Sequence, residues 1–318
     1  MDPQIIAAII GAIGAIAAAL VAVNWSQKRK ENKKEYPQVA PHVKSRILKG
    51  TISTPDCKVI FDLSFRQDEW FGKPTINAGY SSLAERLHSK VGQYAGGYDD
   101  PSVLKDVRVL LLPTPYGNKV EGQQYKNIID WVYQGGGLMM MGIYLMEGHH
   151  YNNLNSLARS LGVEFKKNLV MPVDKEDFQS CMQQSFAFDE PAYWVVSSPS
   201  YTPKSHVITN GVSKIGFTSS CTLECVTEPE FSISTSERLA IMEAKGRQNP
   251  EGRLVQLTDY VPIKNDNAKY FVAFRYGAGR VIAVGSWKIW LNVFMQNTEF
   301  HNRILFDNTI SWLSMGKI

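Results

Sequence analysis

Four cysteines in 318 residues, Cys57, Cys181, Cys221 and Cys225, are too few to staple a domain of this size, which excludes a disulfide framework. The pair Cys221 and Cys225 has CxxxC spacing with no matching His/Cys pair nearby, so reduced, semi-buried thiols are expected rather than a zinc site. A basic body is also missing. Residues 1–50 hold eight Lys/Arg against three Asp/Glu, and the remaining 268 hold 26 against 27. The net charge of +4 therefore belongs to the N-terminal segment, and the near-neutral remainder argues against nucleic acid as a partner. With 44% apolar and 20% charged residues, the composition is that of a globular chain rather than a disordered one.

Charge is absent altogether from Ile5 to Val23, IIAAIIGAIGAIAAALVAV. Nineteen helical residues span about 28 Å, close to the hydrocarbon thickness of a bilayer. Trp25 follows at the depth where indoles favour the headgroups. The preceding MDPQ has no Lys or Arg, unlike a secretory signal, whereas Lys28, Arg29, Lys30, Lys33 and Lys34 come after the run. The positive-inside rule then predicts a single-pass inner-membrane protein with its N-terminus outside and its large domain in the cytoplasm. The expected organisation is a transmembrane helix over 1–25, a basic linker over 26–50 broken by Pro37 and Pro41, and one domain over 51–318. Ala7, Gly11, Ala15 and Ala19 recur every four residues, either as a small-residue ladder for helix–helix contact or as ordinary Ala-rich anchor composition.

Within the domain, Lys58–Leu63 and Leu138–Met141 read as strands, and Val107–Pro113 as one buried on both faces. SSLAERLHSKV places Leu83, Leu87 and Val91 on one helical face, and QYKNIIDWVYQ turns Tyr125, Ile128, Ile129 and Val132 inward. That second helix stops at Gly135–Gly137, where positive φ costs little. Another helix, Leu154–Leu161, ends at Gly162. Alternating strands and helices predict an α/β fold with a mostly parallel sheet. Residues 166–260 read as an irregular elaboration with short β-like runs, including Tyr193–Ser197 and Leu254–Leu257. A hairpin, 270–276 with 280–285, and an amphipathic helix over 301–313 close the chain.

Five phrases occur in one order: LKDVRVLLLPTPYG (104–117), IIDWVYQGGGLMMMG (128–142), HVITNGV (206–212), YGAGRVIAVGSWKIWLN (276–292) and NTISWL (308–313). Together they resemble the glutamine-amidotransferase-like domains of intraflagellar-transport and gliding-motility proteins. The resemblance implies a flavodoxin-like sheet, as in class I amidotransferases, and a binding or scaffolding role. Relatives often carry Asp where this chain has Ser286.

An amidotransferase places its cysteine on a strand-to-helix turn within G-x-C-x-G. The corresponding turn here is Gly142-Ile-Tyr144, and a phenol with a pKa near 10 is a poor nucleophile. No enzymatic activity, metal or cofactor is therefore expected. His149 and His150 read as exposed loop residues, and His206 as one that orders a turn. Gly135–Gly137 lies between helix and strand, the wrong order for a phosphate cradle. A ligand site would lie beyond the strand ends, among Asp62, Ser64, Thr114, Tyr116, Tyr144, Ser286 and Trp287. Without a coupled acid–base pair, structural roles are the first expectation for these residues. The favoured function is a membrane-anchored sensing or scaffolding protein that self-associates and takes a protein partner or small ligand. The alternatives are a membrane-perturbing effector, as in host defence, and a degenerate hydrolase using the strand-end cleft.

Overall fold

A computed structural model describes residues 59–62, 80, 82–83, 91–94, 97–114, 122–144, 153–172, 194–197, 200–234, 239–248, 254–263 and 268–315. The chain divides into two units, Met1–Leu48 and Lys49–Ile318, and every described residue belongs to the second. The apolar run, the basic linker and the ladder of Ala7, Gly11, Ala15 and Ala19 lie outside the described residues. Among the described residues no helix is long and apolar enough to cross a membrane.

Short apolar runs build the first half of the sheet: β1 (Val59–Asp62), β2 (Val91–Tyr94), β3 (Val109–Pro113) and β4 (Gly137–Met141). Every residue of β1, β3 and β4 is buried, as strands covered on both faces require. The chain then passes through β5 (Val163–Phe165), β6 (Asn168–Pro172), β7 (Trp194–Ser197), β8 (Ser200–Thr202), β9 (Ile215–Thr218), β10 (Leu223–Cys225) and β11 (Phe231–Ser234). Two ten-residue strands follow, β12 (Leu239–Gln248) and β13 (Leu254–Ile263). The hairpin of β14 (Lys269–Tyr276) and β15 (Gly279–Val284) completes the strands.

The sheet order is β2-β1-β3-β4-β15-β14-β10-β5, with β11 also pairing β14 and β8. The first five strands are mutually parallel, and the rest extend one side antiparallel. With β15 in fifth place, the parallel half has the 2-1-3-4-5 order of a flavodoxin-like sheet. Everything between β4 and β14 is thus an insertion before the fifth parallel strand. The sequence reading of 166–260 as irregular is corrected here, since β6 through β13 are regular strands. Five of these strands, β7 through β11, have only three or four residues, too few positions for a period-two pattern, and β11 finds its partner β14 about forty residues away. Val91 is a second correction. It opens β2 instead of ending a helix, and the Gly at position 92 masks the strand signal.

The helices follow their patterns more closely. In α1 (Gly122–Tyr133), Tyr125, Asn127, Ile128, Trp131 and Val132 are buried, while Ile129 is half-buried. Asn127 is tolerated inside because its amide donates to the carbonyls of Tyr98 (2.8 Å) and Asp99 (3.0 Å). Gly135, at φ 129°, ends the helix run as expected. Further helices among the described residues are α2 (Leu154–Ser160), the single turn α3 (Asn292–Met295) and α4 (Asn302–Leu313).

Candidate functional site

The chain leaves β1 for β2 on one side and returns to β3 on the other, so the order reverses between the carboxyl ends of β1 and β3. Asp62 ends β1 and is fully buried. Thr114 follows β3, and its hydroxyl donates to the Met141 carbonyl at 2.6 Å, tying the ends of β3 and β4 together. Ser286 follows β15 and caps the 3-10 turn Trp287–Trp290, accepting from the Lys288 amide at 3.2 Å. The Trp287 amide donates to Gly142 (2.7 Å), and the Gly142 amide to Val284 (2.8 Å), which locks the ends of β4 and β15. Thr114, Tyr144, Ser286 and Trp287 are therefore brought to one end of the sheet, beside Asp62. Ser64, Tyr116, His149 and His150 lie outside the described residues.

The insertion reaches back over this end. β9 runs into Thr218-Ser-Ser-Cys-Thr222, all buried. The Ser219 carbonyl accepts from the Tyr144 amide (2.9 Å), the Thr218 carbonyl from the Ser286 hydroxyl, and the Cys221 amide donates to Gly285 (3.0 Å). Asn168 holds the far side, exchanging two bonds with Thr222 at 2.8 and 2.9 Å. Ser219 sits at φ 55°, the left-handed region that disfavours side chains. Its hydroxyl accepts from the Lys288 ammonium at 3.2 Å, and Lys288 is only 5% exposed, with its Nζ 5.4 Å from the Trp287 ring centroid. Tyr80, its ring tilted 55° to that of Phe61 at 5.0 Å, donates its hydroxyl to the Trp287 carbonyl at 3.2 Å. Burial holds that phenol well above its usual range, so it remains a donor.

The sequence reading missed Tyr80, Ser219 and Lys288. Lys288 had a usable signal, a lone charge inside the apolar run Trp287-Lys-Ile-Trp290. Cys221 is buried with its thiol pushed up by desolvation and directed at the Gly285 carbonyl, and both described cysteines are free. Among the described residues no cluster of three metal-ligating side chains occurs.

Ser286 donates its hydroxyl hydrogen bond to the Thr218 carbonyl, which a carboxylate cannot do. Ser286→Asp is expected to set acceptor against acceptor in a buried site and destabilise by about 2 kcal/mol or more, read as a lower unfolding midpoint.

His206 orders a turn, as expected. Its Nδ1 accepts from the Ile208 amide (3.3 Å) in a capping box with Thr209, and its ring stacks 4.9 Å from Phe231. Asn308 of α4 donates to the Ile208 and Asn210 carbonyls of the same turn. Burial lowers the pKa of His206, outweighing the nearby Glu230 carboxylate, so the unfolded chain takes up the proton first on acidification. Stability is therefore complete above the ordinary value of 6.5, declines as pH falls below it, and levels off beneath the depressed folded value. His206→Asn, which keeps a capping oxygen, should flatten that slope in unfolding midpoints measured from about pH 7.5 to 5.

No family model and no curated protein matches the sequence. Among solved structures, the chain is similar to the "mmIFT52 N-terminal domain", with a TM-score of 0.55 and 14% identity over 82% of this chain and 98% of that one. A ThuA-like protein from Bacteroides uniformis aligns at 0.42 and 11% over 83% and 93%, and a cytoplasmic protein from Salmonella typhimurium at 0.42 and 13% over 80% and 98%. The last two overlap less closely, and the fold assignment rests on the first. The second unit of the chain therefore has a mixed α/β fold of the flavodoxin-like, amidotransferase-like kind.

Proposed function

We propose that this protein is a membrane-held, non-catalytic sensing or scaffolding module of the glutamine-amidotransferase-like type found in intraflagellar-transport and gliding-motility proteins. In this reading it self-associates through its N-terminal helix and its α/β domain. The observation that carries the non-catalytic part is the Thr218–Thr222 segment. Its backbone closes the ends of β4 and β15, where an amidotransferase would carry its thiol, and spends their polar groups on internal hydrogen bonds. The uncharged Ile5–Val23 run and its small-residue ladder support the membrane and self-association parts. Size measurement in detergent tests this, comparing the full chain with residues 49–318. A larger-than-monomer species that shrinks on truncation is expected, and strict monomers in both cases would overturn the reading.

One observation favours a second reading, a hydrolase. Ser219 is strained and its hydroxyl touches a buried lysine, the pairing used by Ser-Lys nucleophiles. Such a site would label with a fluorophosphonate, and the label would vanish in Ser219→Ala. A wild-type chain that takes no label removes this alternative.

A further inference from the structure

The opposite end of the sheet carries a groove of about 540 Å³, formed between the 3-10 turn Pro101–Leu104, the second half of α1 and Gly136. Leu104 and Trp131 give it an apolar wall, and Ser102, Lys105, Asp130 and Gln134 line it with exposed polar groups. Three features of this groove bear on what it could hold. The Trp131 indole nitrogen is buried and has no acceptor among the described residues. Such an orphan donor is costly in a folded interior. Asp130 stands in the last turn of α1, where the helix dipole disfavours a carboxylate, and no basic residue shares that turn. Lys105 closes the facing turn. Neither Lys105 nor Asp130 is ion-paired among the described residues, although both line one groove.

We propose that this groove binds a free α-amino acid. A groove of this volume suits a small molecule. A zwitterion satisfies the separated charges together: its carboxylate meets Lys105, and its ammonium meets Asp130 at the negative end of the α1 dipole. The side chain of the amino acid lies against Leu104 and the Trp131 ring. The Trp131 ring is part of the wall on which that side chain lies, so binding changes the surroundings of its indole. A ligand bearing only one of the two charges gains only one of these two contacts. The site lies away from the strand-end cluster and does not depend on how that cluster is read.

The test is a titration of the full chain in detergent micelles with each of the common amino acids, followed by ¹⁵N–¹H spectra of its seven tryptophan indoles. Trp131→Phe identifies the Trp131 resonance. At least one amino acid should move that resonance saturably, and its N-acetyl and amide derivatives should bind at least about tenfold more weakly. Lys105→Met and Asp130→Asn, both exposed, should each weaken binding to the same degree without lowering the unfolding midpoint. Ser286→Ala should leave binding unchanged. The proposal is overturned if no amino acid moves the resonance up to about 10 mM, a range that captures even weak binding. It is equally overturned if the singly charged derivatives bind as well as the zwitterion, or if both charge variants bind normally.

Discussion

Replacing Gly285 with alanine should cost about 3 kcal/mol or more and lower the unfolding midpoint accordingly. A Cβ at this position would lie 2.0 Å from the Cys221 carbonyl oxygen and 2.6 Å from the Ser220 hydroxyl. The first obstacle is backbone, held in place by the Cys221 amide on the Gly285 carbonyl at 3.0 Å, so it cannot swing aside as a side chain could. The Gly285 amide is meanwhile fixed to the Tyr270 carbonyl at 2.8 Å, which prevents the residue from retreating toward β14. Relief must come from lifting the Thr218–Thr222 segment off the end of β15. That movement breaks the Ser286 and Lys288 contacts to Thr218 and Ser219. Ser286→Ala is the control, since it removes one hydroxyl without adding bulk and should cost about 1 kcal/mol. If Gly285→Ala unfolds within about 1 kcal/mol of the wild type, the segment is not seated on the strand end as described.

The parts of this fold legible in the sequence are those whose signal is local. β3 and β4 announce themselves as unbroken apolar runs, and the β14–β15 hairpin as alternation around Gly277, whose φ of 59° the turn requires. α1 and α2 show helical periodicity with glycine stops, and α4 shows an amphipathic pattern. The strand-end candidates Asp62, Thr114, Tyr144, Ser286 and Trp287 were also accessible, because the position after a parallel strand can be counted from the strand itself. Ser219 and Tyr80 were not. Ser219 meets Lys288 across 69 residues of sequence, and Tyr80 meets Trp287 across 207. Nothing in their immediate neighbourhoods encodes those meetings. The insertion was legible as an interruption but not as a cap, because most of its strands are too short to show a period and its role depends on where β9 delivers the chain.

That delivery depends on Asn302, and Asn302→Ala should be as damaging as the change at Gly285. The side chain is fully buried at the first turn of α4. Its Oδ1 accepts from the Gly216 amide at 2.9 Å, and its Nδ2 donates to the carbonyls of Gly216 (2.6 Å) and Ile289 (2.8 Å). Gly216 stands two residues before Thr218, and Ile289 belongs to the turn that carries Lys288. One amide thus sets the spacing between the two segments that meet at Ser219 and Lys288. Alanine would leave a backbone N–H and two carbonyls without these partners in a dry interior, at about 1–3 kcal/mol each, so a total loss of about 3–5 kcal/mol is expected. Asn302→Asp separates shape from hydrogen bonding. It keeps the acceptor for Gly216 but turns the donor into an oxygen facing two carbonyls, so it should be nearly as destabilised at neutral pH. Protonation restores one donor, so the loss should shrink as pH falls through the carboxyl range. Amide exchange distinguishes this linkage from a general loss of stability. In Asn302→Ala the amides of residues 215–222 should exchange faster relative to those of β3 and β4. Uniform acceleration across both groups would show that Asn302 supports the core as a whole and does not specifically place the segment that closes the strand ends.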